Sequence, residues 1–205
     1  MGIIASDKGG TDFKPVPAGT HTAICTLVAD LGIQGGGKFK PSRKIYIRWE
    51  LPNETITYKD RDGIEHSGPM TIGNRYTLSL SEKANLRADL ESWRGRVFTA
   101  DELKGFDIIN VLGKGCLLGV THEQGADGKT YANISAVMGL PKGTGTLTPS
   151  VKPIWYSPDE HDQSIFDSLP NWLQEAINSR QRNDEKKTTS QNSPPIADFD
   201  DDIGF

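Results

Sequence analysis

Between Lys38 and Arg48 the chain sets five cations and two aromatic rings within eleven positions: Lys38, Phe39, Lys40, Arg43, Lys44, Tyr46 and Arg48. Cations attract phosphates, and ring faces take unstacked bases, so this interleaving suits a single nucleic-acid strand. Further along, Arg75, Arg94 and Arg96 could add backbone contacts to the same surface. The segment Gly32 to Lys38 also comes close to a phosphate-binding P-loop, with Gly32, Gly37 and Lys38 in register. Phe39 stands where such a loop needs a magnesium-binding hydroxyl, and Pro41 blocks the helix that would cradle the phosphates. Nucleotide binding is therefore not expected.

Other chemistries find little support. His21, His66, His122 and His161 are isolated, and Cys25 and Cys116 are too far apart in sequence to form a zinc motif by spacing. Both cysteines lie in apolar strand-like runs and read as buried, reduced thiols. Asp60 and Asp62 lack the remaining acids of a calcium loop. There is no nucleophile elbow and no paired-carboxylate motif. The expectation is a protein that is not an enzyme, with no cofactor and no metal.

The elements that must position the cationic stretch are mostly strands. Gly19–Leu31 is rich in Thr, Ile, Val and Leu without helical spacing and predicts a first strand; Gly32–Pro41 reads as a flexible basic loop. Arg43–Leu51 alternates, with Ile45, Ile47 and Trp49 on one side and Lys44, Tyr46, Arg48 and Glu50 on the other. Residues 52–70 read as loop, with Asp62-Gly63 a possible hairpin turn, and Thr71–Leu80 as a third strand. Ser81 is placed to cap a helix striped by Leu86, Leu90 and Trp93. Asp101–Leu112 reads as a second short helical segment, Cys116–His122 and Thr130–Leu140 as strands joined through Asp127-Gly128. Three strands, a helix and two strands is the order of an OB-fold, a five-stranded Greek-key barrel whose first loop and strands two and three bind oligonucleotides. Trp49 and Trp93 lie on apolar faces and are expected in the core.

The expected organisation is an N-terminal arm over 1–17, the barrel over 18–141, an irregular extension over 142–180 with a short helix at Trp172, Leu173, Ala176 and Ile177, and a disordered acidic tail over 181–205. Residues 1–150 hold 18 Lys and Arg against 16 Asp and Glu, a balance of +2, whereas 181–205 hold 3 against 6, a balance of −3. Acid is thus exported to the chain end. No apolar run is long enough for a membrane helix, and no signal peptide is evident.

The chain ends Asp198, Phe199, Asp200, Asp201, Asp202, Ile203, Gly204, Phe205. Carboxylates followed by apolar residues at a free terminus suit a ligand that fills a small pocket with a basic rim. This tip closely resembles that of bacterial and phage single-stranded DNA-binding proteins, in which it recruits replication and repair enzymes. That family usually carries proline where Gly204 stands. The wording of Tyr76–Leu80 and of Ser92–Phe98 also resembles a widespread phage and prophage protein family. The resemblance implies an OB-fold body that coats single-stranded DNA without strong sequence preference during replication, recombination or repair. It further implies partner enzymes held by the tip, a cytoplasmic location (that of the host, if phage-encoded), no membrane and a possible homo-oligomer. Two other readings fit the residues: an adaptor or structural protein, and a recombination protein that anneals strands.

Overall fold

The computed structural model describes residues 14–36, 39–59 and 63–181. Most of the expected arm and almost all of the acidic tail, including the tip, lie outside the described residues.

Five antiparallel strands form one curled sheet: β1 (Gly19–Gly36), β2 (Phe39–Lys59), β3 (Glu65–Thr77), β4 (Gly115–Gln124) and β5 (Thr130–Met138), in the order β3-β2-β1-β4-β5. Helix α1 (Asn85–Arg94) and two 3₁₀ turns (Glu102–Lys104 and Ile108–Val111) connect β3 to β4. Order and connection are those of the expected OB-fold-like Greek-key barrel. The barrel is a half-barrel, because no ladder joins β3 to β5 among the described residues.

Its interior follows from the alternation of β2. Ile45, Ile47, Trp49 and Leu51 point inward and meet Leu86, Leu90 and Trp93 of α1, with the Trp49 and Trp93 rings 5.8 Å apart. Both tryptophans are core residues, as expected. Cys25 and Cys116 are buried and unpaired, and burial pushes the Cys25 thiol up to about 12. The last residues of the expected arm belong to the barrel: Val16 is buried, and its carbonyl accepts from His122 Nε2 at 2.8 Å.

Several expectations are corrected. The basic loop Gly32–Pro41 is mostly strand, with Gly32 paired to Lys44, Ile33 to Arg43 and Gln34 to Ser42. Register shifts near Asp30 and Gln34 let the glycines continue the ladder; Gly32 takes φ +68° and donates its N–H to Asp30 Oδ1 at 2.8 Å. Residues 52–59 and 65–70, expected as loop, lengthen the β2–β3 hairpin. The third strand ends at Thr77, leaving Leu78 partly exposed. Ser81 does not cap α1. Ala84 occupies the N-cap with no side-chain bond, while the Ser81 hydroxyl pairs with that of Ser79. The segment 101–112, expected as a short helical segment, forms two separate 3₁₀ turns, Glu102–Lys104 and Ile108–Val111.

The extension is more ordered than its composition predicts. It holds β6 (Ile154–Tyr156), α2 (Gln163–Ser168) and α3 (Asn171–Asn178), and β6 pairs in parallel with Leu27–Ala29 of β1. The cause lies in β1, whose apolar residues run along both faces. One face fills the barrel; Leu27, Ala29 and Leu31 on the other are covered by Tyr156, Leu169, Leu173 and Ile177. Burying Leu173 and Ile177 completely is worth about 1.5–3 kcal/mol each. That is enough to hold a short helix which would not persist alone.

Candidate nucleic-acid interface

The outward face of β2 carries Lys44, Tyr46, Arg48 and Glu50, and the paired residues of β3 are Thr77, Arg75, Gly73 and Thr71. Each of the four outward side chains of β2 has a different neighbour.

Glu50 is buried. Its carboxylate accepts the Ser150 N–H at 2.9 Å and the Ser150 hydroxyl at 2.6 Å, tying the extension down over this end of the face. Arg48, the next outward residue, is half-buried. Among the described residues its enclosed Nε makes no hydrogen bond, and neither does the enclosed Thr26 hydroxyl at the adjoining bulge of β1.

Tyr46 lies low across β3, and Gly73 makes this possible. A Cβ at Gly73 would come within 2.1 Å of the Tyr46 hydroxyl and 2.7 Å of the Ile47 carbonyl oxygen. The isolated glycine inside a strand is the sequence signal for such a close approach. Trp172 of α3 meets Tyr46 edge-on, with centroids 4.9 Å apart, and remains 44% exposed. Burial raises the Tyr46 hydroxyl above its ordinary range. The pair therefore presents a neutral aromatic surface, half of it supplied by the extension.

Lys44 and Arg75 form the open end of the face. Lys44 Nζ donates to the Thr77 hydroxyl at 2.6 Å, a neutral partner, and its charge meets no carboxylate among the described residues. Arg75 is exposed, and its side chain makes no ion pair among the described residues. With Lys83, Asn74, Thr77 and Asn85 these two cations line a polar depression of about 390 Å³ beside the start of α1.

The other expected site residues are placed differently. Lys38 lies outside the described residues. Phe39 opens β2, and Lys40 is exposed one residue further on. Arg43 is engaged: its Nε donates to Asp30 Oδ2 at 2.9 Å, and its Nη2 bonds both Asp30 and Asp159. Those carboxylates, chiefly Asp30, raise its already high pKa. Arg94 and Arg96 converge on one carboxylate, Glu102. Arg96 binds it through two nitrogens at 2.8 and 2.9 Å, and Arg94 Nη2 bonds the same group. The Arg94 guanidinium also stands 4.3 Å from the Phe98 ring centroid and 5.0 Å from that of Phe106. Hydrogen bonds from Arg96 first, then from the Thr99 N–H, hold the Glu102 carboxyl down at about 2.

The structure thus brings Lys44, Tyr46, Arg48 and Arg75 onto one face and ties Arg43, Arg94 and Arg96 into ion pairs. Sequence reasoning missed Trp172 and Lys83 as members of this surface. The one sign of the first was an aromatic on the expected last helix, where Trp172 reads as part of the apolar stripe. The second had none, since its partners are brought near only by the turn into α1. No protein-family model matches the chain, and no curated protein matches it significantly. No helix of the described residues is long and apolar enough to cross a membrane.

Proposed function

We propose that this protein binds single-stranded DNA on the outer face of β2 and β3, largely without sequence preference. The observation that carries the reading is the free charge of Lys44 and Arg75 beside the Tyr46–Trp172 aromatic pair. Phosphates would meet the cations, and a base would lie against the exposed Trp172 ring. The half-barrel supports this reading, since the same face of OB-folds takes oligonucleotides. The Asp198–Phe205 tip, by its resemblance, would recruit enzymes of replication, recombination or repair and raise their concentration at the bound strand.

The test is fluorescence anisotropy of a labelled oligo-dT strand titrated with the full chain at two salt concentrations. Binding that weakens steeply with salt is the expected outcome; no binding at low salt rejects the reading. Mixing complementary strands with the protein then separates coating from annealing. Deleting 198–205 should abolish capture of partner enzymes while leaving the barrel's capacity to bind DNA.

A further inference from the structure

The depression at the β3–α1 junction gathers cations and amides. Its lining includes three cations, Lys44, Arg75 and Lys83, with the amides of Asn74 and Asn85, and no carboxylate. Elsewhere the described arginines are mostly neutralised: Arg43 by Asp30 and Asp159, Arg87 by Glu91, Arg94 and Arg96 by Glu102. The nearest acids are otherwise occupied or outside the lining. Asp89 accepts the Tyr76 hydroxyl at 2.8 Å, and Glu82 does not line the depression. Three like charges gathered without a counter-charge among the described residues repel one another, an arrangement stabilised when an anion enters.

We propose that this depression is a phosphate-binding site, and that it anchors the backbone of the bound strand. The second clause rests on the single-stranded DNA reading above; the first does not. Arg75 offers a planar fork of donors and the two lysines offer point charges, a combination that suits a tetrahedral oxyanion. Ala84 gives α1 no side-chain cap and its first turn holds no acid, and Ala84 and Asn85 at the start of the helix line the same depression. Arg75 is also the cross-strand partner of Tyr46. A nucleotide whose phosphate is held here can therefore lay its base toward the Tyr46–Trp172 rings. Lys83, which lies outside β2 and β3, becomes part of the DNA surface.

Two measurements test this. First, inorganic phosphate is titrated into the ¹⁵N-labelled full chain at constant ionic strength, with chloride as the control. Backbone amide shifts confined to residues 83–86 and the Arg75 region are expected with phosphate only; their absence overturns the site. Second, oligo-dT binding is measured at several salt concentrations for Lys83→Ala, Lys83→Glu and, as a control, Lys104→Glu. Lys83→Ala should reduce the slope of log K against log salt by about 0.7. Lys83→Glu should weaken low-salt binding about tenfold or more, and Lys104→Glu should match wild type. If wild type binds oligo-dT and Lys83→Glu binds equally well, the anchoring role is overturned while the single-stranded DNA reading stands. If wild type fails to bind oligo-dT yet the phosphate shifts appear, the anion site is upheld and the DNA reading falls.

Discussion

The two ends of α1 carry cation clusters that look alike in the sequence and differ in use. At the C-terminal end Arg94 and Arg96 close on Glu102, and Arg94 is further covered by Phe98 and Phe106. At the N-terminal end Lys83 joins Lys44 and Arg75 around an open depression without a carboxylate. The first cluster staples the connection between α1 and the following 3₁₀ turn. Its charges are spent inside the molecule. Charges of the second remain available to a ligand. A cation's role is thus decided less by its own identity than by whether the fold delivers a carboxylate within reach.

The largest test of this contrast is removal of the open cluster. Replacing Lys44, Arg75 and Lys83 together by alanine should lower low-salt oligo-dT affinity about 10²–10³-fold, with a salt slope reduced by about 2 and little change in thermal midpoint. Equal binding by the triple variant would place the DNA elsewhere. Next in size, Arg94→Ala should destabilise the fold by about 1–3 kcal/mol, read as a lower urea midpoint, because it removes guanidinium packing on two rings and leaves part of Glu102 unpaired. Its oligo-dT affinity should change less than twofold. An inverse result, with binding lost and stability kept, would erase the distinction between the two ends.

Smaller effects refine the picture. Trp172→Ala should weaken oligo-dT binding about tenfold or less, since one base stacked on one ring is worth about 1–3 kcal/mol at most. Quenching of tryptophan fluorescence on DNA addition, lost in this variant, would locate the stack. The smallest effect concerns pH. The folded-state pKa of Glu102 is depressed to about 2, below its unfolded value, so its ion pairs contribute stability above the ordinary carboxylate range. That contribution fades as pH falls through the range from the unfolded value toward about 2. Urea midpoints measured from pH 7 down to pH 2 should therefore decline more for wild type than for Glu102→Gln. Parallel curves would mean that Glu102 pairs equally well in the unfolded chain.

Much of the barrel was legible in the chain. The alternation of Ile45, Ile47 and Trp49, and the helical spacing of Leu86, Leu90 and Trp93, are local periodicities that read directly as buried faces. Boundaries were less so. Glycines at 32, 35 and 36 look like a loop to local propensity, yet bulged pairing of Gly32 with Lys44, Ile33 with Arg43, Gln34 with Ser42 and Gly36 with Phe39 carries β1 through them. Ser81 has the right chemistry for a cap, but the turn that follows β3 starts α1 at Asn85 instead. Of the candidate surface, Lys44, Tyr46, Arg48 and Arg75 could be chosen in advance because strand alternation assigns them one face. Trp172, Lys83 and the fate of Arg94 could not.

The sequence by itself therefore determined the strand–helix order, the inner face of β2, the stripe of α1 and the acidic, apolar chain end, because each is written in spacings of a few residues. Tertiary structure alone decided how the outer face is shared. It lays α3 over β1 to cover Leu27, Ala29 and Leu31, and it sets Trp172 against Tyr46. It gives Glu102 to Arg94 and Arg96, and among the described residues gives no carboxylate to Lys44, Arg75 and Lys83. Those outcomes depend on distances between residues far apart in the chain, which periodicity does not encode and only packing sets.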